Sequence, residues 1–217
     1  MDYVLVGAEP ATLFKSRRHA RERIALGLRN FADGPKNVCL QYAVEHWLLE
    51  RGEGYYFTDT SKCTVSVKVA GPTRKLRYAM CASFLTRELE ILQPRAIVAV
   101  GLDAYRYLRD HRTITWPPIV SVLHYSPQAV KYQRALLSGG WEKSVPSFDG
   151  LERFARSRRL PLHKDKPTNI RALHLQLVAA YRIQFEVIRR VLAGAPVTRH
   201  EAMVHVAGGS MPGLTSP

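Results

Sequence analysis

The 217-residue chain is poor in acid and poor in cysteine. Against 32 Lys and Arg it sets only 18 Asp and Glu, a formal net charge of +14 at pH 7. An imbalance of that size points to a polyanionic partner, nucleic acid or an acidic membrane surface. The three cysteines, Cys39, Cys63 and Cys81, are odd in number and widely spaced. They argue against a disulfide framework and for a reducing compartment. No apolar run approaches the roughly 18–20 residues that span a bilayer. Strand-like sequence begins at Tyr3, so no signal peptide is expected. No glycine-rich phosphate loop follows a candidate strand, which leaves an α/β nucleotide-binding enzyme without support. No internal repeat is present. A cytoplasmic nucleic-acid protein that needs no membrane is the expected class.

What is present reads as one globular unit. Apolar residues make up 46% of the chain, enough for a substantial core. Four short runs have strand character: "YVLVGA" (3–8), "GYYFTDT" (54–60), "RAIVAVG" (95–101) and "PIVSVLH" (118–124). Each is too short for a free-standing helix, and Gly, Pro or polar residues bound it. Their apolar character is continuous rather than alternating, as expected for strands covered on both faces of a parallel sheet. Helical patterns lie between them. Residues 38–52 align Leu40, Ala43, Trp47 and Leu48; residues 78–94 align Met80, Phe84, Leu85, Leu89 and Leu92 before Pro94. A shorter helix is expected over 102–111.

This alternation predicts a three-layer α/β/α sandwich around a central four-stranded parallel sheet. Past residue 140 a basic segment broken by Pro161 and Pro167 precedes a long helix over 169–194. Its apolar stripe runs through Leu173, Leu177, Ala180, Tyr181, Phe185 and Ile188. The domain is therefore expected to occupy residues 1–195, with 196–217 as a Gly/Ser/Pro-containing tail.

Ligands of open parallel sheets bind beyond the carboxyl ends of the strands. Those ends here read Gly7-Ala8-Glu9-Pro10, Thr58-Asp59-Thr60-Ser61-Lys62-Cys63, Gly101, and His124-Tyr125-Ser126-Pro127. Two acids and a histidine thus share one edge of the sheet.

The order and spacing of these pieces resemble the uracil-DNA glycosylase superfamily, most closely its iron–sulfur, thermophile-type branch. The carrying stretches are "VLVGAEPA", "YYFTDTSKC", "CASFLTRELEILQPRAIVAVGLDAYRYL" and "VLHYSPQA", spanning roughly residues 3–130. The resemblance implies a monofunctional glycosylase that flips a uracil or related deaminated base from DNA and hydrolyses its N-glycosidic bond. Bond breaking leaves a cationic sugar and an anionic base. A donor at the base carbonyl stabilises the anion, and a carboxylate beside the sugar stabilises the cation and orients water.

By this resemblance His124 serves the leaving base and Glu9 positions the water; Gly7, Pro10, Phe31 and Asp59 form the base pocket. The alternative for Glu9 is a loop carboxylate paired with a nearby arginine, and Phe14 is the alternative to Phe31 as the stacking ring. Arg17, Arg18, Arg21, Lys62, Ser126 and Lys131 would meet the DNA backbone. The acting form is expected to be a monomer.

Several positions depart from the family pattern. Ala8 stands where Gln or Glu is usual, and Gln128 and Ala129 replace a bulkier wedge. Asp59 replaces an Asn whose amide accepts from uracil N3–H and donates to O4; a carboxylate only accepts. Either the pocket is rearranged, or Asp59 is protonated, or the preferred base presents two donors. Cys63 and Cys81 match two cluster ligands of the thermophile-type branch, but no cysteine pair precedes the first strand. Four thiolates are the usual requirement, so no cluster and no cofactor are expected. No lysine is placed as a Schiff-base nucleophile, and no histidine between Lys62 and Cys81 is placed for covalent capture. A DNA-binding relative that has lost catalysis is the alternative, which the Ala8 and Asp59 departures favour.

Overall fold

In the computed structural model, residues 1–8, 35–61, 74–124, 147–158, 160, 168–195 and 206–207 are described. The four apolar runs form β1 (Tyr3–Gly7), β2 (Tyr55–Asp59), β3 (Ala96–Val100) and β4 (Ile119–Val122). They pair in parallel in the order β2-β1-β3-β4. A two-residue strand, β5 (Val206–Ala207), pairs antiparallel with the start of β4. Part of the segment expected to be a tail therefore extends the sheet.

Every residue of β1, β3 and β4 is buried, because helices cover both faces. On one face Tyr3, Leu5, Val98 and Val120 pack against α1 (Pro35–Ala43), α4 (Phe148–Ser157) and α5 (Thr168–Leu192). On the other, Val4, Val6, Ile97 and Ala99 meet α2 (Arg74–Leu92) and α3 (Leu102–Asp110). Odd and even positions of one strand go to opposite layers, as the period of two requires. The three-layer α/β/α architecture and its parallel sheet match the reading of the sequence.

Local departures have local causes. The helix expected over 38–52 widens after Ala43 into a π-turn, Val44–Leu48, where the Leu49 N–H bonds the Val44 carbonyl at 3.0 Å. Val44 and Leu48, at the two ends of this turn, are both buried. On α2, Leu85 and Leu89 are buried as expected, but Met80 and Phe84 are 60% and 62% exposed. The core stripe instead runs through Tyr78, Cys81, Leu85 and Leu89. Both sets satisfy i/i+4 spacing, and the pattern alone does not say which one meets the sheet. The basic stretch after residue 147 contains α4, whose Leu151, Phe154 and Ala155 join the core.

Two helix ends follow their residues. α2 ends at Leu92, followed by Gln93 at φ +43° and then Pro94. Gly194 at φ +74° ends α5; its N–H bonds the Val191 carbonyl, and the Ala195 N–H bonds that of Arg190, a Schellman arrangement.

Candidate active site at the carboxyl edge of the sheet

The chain leaves β1 toward β2 on one side and returns to place β3 on the other. A crevice at such a reversal, beyond the carboxyl ends of the strands, is where open α/β sheets bind ligands. Two glycines flank it. Gly7 ends β1 in register with Asp59 of β2. Gly101 follows β3 and starts α3.

Gly101 is needed for two reasons. Its backbone lies at φ 96°, ψ 162°, a region essentially restricted to glycine. A Cβ there would also stand 2.9 Å from the Cβ of His124 and 3.3 Å from its ring. The imidazole therefore rests directly on the missing side chain. The Gly101 N–H continues the ladder to the Val122 carbonyl at 2.8 Å, and its carbonyl accepts from Tyr105 N–H in the first turn of α3. Strand, turn and helix so fix the surface beneath His124, which is half-buried.

At the other end of the crevice Asp59 is 5% exposed, and Thr60 and Ser61 after it are fully buried. The Thr60 N–H donates to the Gly7 carbonyl at 2.8 Å, and the Ser61 N–H to the Ala8 carbonyl at 3.2 Å. The Thr60 hydroxyl also bonds Ala8 O. The exit of β2 is thus tied to the exit of β1. On the helical side Thr58 Oγ1 donates to Glu88 of α2 at 2.7 Å. Burying several polar groups together is costly unless they are bonded, so this corner is held by its own network.

The structure brings Gly7, Asp59 and His124 to one edge of the sheet, as expected. Glu9, Pro10, Phe31, its alternative Phe14, Arg17, Arg18, Arg21, Lys62, Ser126 and Lys131 lie outside the described residues. Two contributors were not singled out from the sequence for this site. Gly101 carried a signal, a glycine wedged between an apolar strand and an amphipathic helix. Gln184 carried a weaker one, a polar residue inside the apolar stripe of α5. It is 1% exposed and accepts the Leu123 N–H at 2.6 Å.

Cys39 packs in the α1 layer, whereas Cys81 of α2 lies on the opposite side of the sheet, beside Tyr107. Cys63 lies outside the described residues. Among the described residues no group of three His, Cys, Asp or Glu side chains could hold a metal ion. No described helix is long and apolar enough to cross a membrane.

No curated protein matches the sequence. The family model of the uracil DNA glycosylase superfamily matches residues 8–145, the segment that carries Asp59, Gly101 and His124. With the parallel sheet and the edge just described, that match over more than half of the chain makes it a member of the uracil DNA glycosylase superfamily.

Proposed function

We propose that the protein is a monofunctional DNA glycosylase of the thermophile-type kind, lacking its cluster, that excises uracil or a related deaminated base. The observation that carries this reading is the seating of His124 on Gly101, with Asp59 buried at the far end of the same edge. Strand spacing sets Asp59 and His124 about 14 Å apart along the sheet, a span that two side chains and one flipped pyrimidine can bridge. In this role Asp59 accepts hydrogen bonds from the base edge, and His124 donates to the carbonyl on which charge collects. The C1′–N bond breaks, water adds its hydroxyl to C1′, and the proton neutralises the departing base. Glu9 orients that water, Phe31 stacks on the base, and Gly7 and Pro10 shape the pocket wall. Arg17, Arg18, Arg21, Lys62, Ser126 and Lys131 contact phosphates, in keeping with the +14 charge. The protein acts as a cytoplasmic monomer.

Asp59 in place of Asn selects the substrate. A carboxylate satisfies a base that presents N–H donors and leaves O4 of plain uracil without a donor from this residue. Oligonucleotides carrying uracil, hypoxanthine, xanthine or mismatched thymine, incubated with wild type and Asp59→Asn, test the assignment. Asp59→Asn should shift preference toward uracil by about tenfold or more, because an unpaired polar edge discriminates strongly. Unaltered preference across the panel would remove Asp59 from the pocket. DNA binding by wild type without excision of any base would favour the second reading, a non-catalytic relative, which the Ala8 and Asp59 departures support.

A further inference from the structure

We propose that Gln184, on a helix outside the segment matched by the family, is a positioning residue for His124. The inference rests on the glycosylase reading for its kinetic consequence, but not for its structural one. After Val122 the strand ladder ends, and the N–H of Leu123 is the last backbone donor before His124. Leu123 is half-buried, and its N–H needs a partner within the fold. It finds one in the Oε1 of Gln184, 61 residues away in sequence and 2.6 Å away in space.

The orientation of that amide is dictated by chemistry. Leu123 N–H can only donate and the Ala180 carbonyl can only accept, so Oε1 must face Leu123 and Nε2 must face Ala180, which it bonds at 2.9 Å. Both ends of the amide are therefore committed, and the side chain cannot turn away without losing two bonds. Tyr181, Phe185 and Ile188, all fully buried, lock the surrounding turns of α5 against the sheet. His124 is consequently held from two directions. Gly101 supplies the surface on which the ring rests, and Gln184 clamps the peptide that leads into it. Removing the acceptor leaves this half-buried donor without its partner, and the strand end must shift to satisfy it. A displacement of about 1 Å at a reacting group can cost about a hundredfold in rate.

Gln184→Met keeps the volume and removes both hydrogen bonds; Gln184→Glu keeps an acceptor for Leu123 and, when protonated, a donor for Ala180. Single-turnover excision and DNA affinity of the full chain should separate. Gln184→Met is expected to slow excision about tenfold or more with affinity within about twofold, and Gln184→Glu to recover most of the rate. In ¹⁵N-labelled protein the Leu123 amide proton of Gln184→Met should move upfield and exchange faster, and the His124 ring signals should shift.

A folded Gln184→Met with wild-type His124 signals would overturn the proposal, as would equal loss of excision and binding in both variants. Should Gln184→Met not fold, Gln184→Asn carries the same test, since its amide is one methylene too short to reach Leu123. If wild type excises no base at all, the glycosylase reading fails by itself, and the Leu123 and His124 signals alone decide whether Gln184 positions the histidine.

Discussion

The two edges of the parallel sheet are built on opposite plans. At the amino edge long charged side chains close on one another. Arg95 pairs with Glu53 at 2.9 Å, donates to the Tyr3 hydroxyl and lies over the Tyr3 ring. Asp2 accepts from Gly54 N–H, Arg158 reaches Glu45 at 2.6 Å, and Arg189 reaches Glu50 at 2.5 Å. Each of these charges meets a partner within the chain. Among the described residues at the carboxyl edge the side chains are small or short: Gly7, Ala8, Asp59, Thr60, Ser61 and Gly101, with the His124 ring set upon Gly101. Backbone and short side chains bond one another there. An edge meant only to be stable can be filled with long ion pairs. An edge that receives a base, as proposed for this one, needs room, and glycine at the points of closest approach provides it.

That contrast can be broken at either end. The largest effect is expected from Gly101→Ala. It forces an L side chain into the glycine-only region, at a cost of order 1–3 kcal/mol, and drives its Cβ into His124. Thermal or urea unfolding should report that loss. Excision should fall further than stability alone explains, because the ring must move. An active Gly101→Ala protein of wild-type stability would refute the close approach. The smallest effect is expected from Arg95→Ala at the amino edge. Arg95 is half-exposed, so its pairing is screened, and stability should drop by about 1 kcal/mol or less. Excision by Arg95→Ala should be unchanged, and a selective loss of rate would show that the two edges are not independent.

Much of the carboxyl edge was legible in advance because parallel strands are short, continuous and apolar. The strand in "IVSVLH" has to end just before His124, and the one in "YYFTDT" at Asp59, wherever the helices go. What was not legible depends on contacts distant in sequence. Nothing near Gln184 announces that its amide meets Leu123, since the pairing appears only when α5 docks on the sheet. On α2 the two apolar stripes were interchangeable on paper, and the choice that exposes Met80 and Phe84 is made by the fit of Leu85 and Leu89 against Val4, Val6 and Ile97. The π-turn at Val44–Leu48 escaped for a related reason. No glycine or proline within Val44–Leu48 marks it, and its buried residues, Val44 and Leu48, keep the i/i+4 spacing of an ordinary helix.

His124 offers the most direct test of the account. Single-turnover excision and DNA affinity should be measured side by side for wild type and His124→Ala on the base that wild type excises best. If His124 stabilises the departing base, the rate should fall by about 10²–10³, the usual loss for one such donor, while affinity, resting on phosphates, changes little. Equal loss of binding and excision, or full activity without the imidazole, would contradict the placement of the chemistry at this edge.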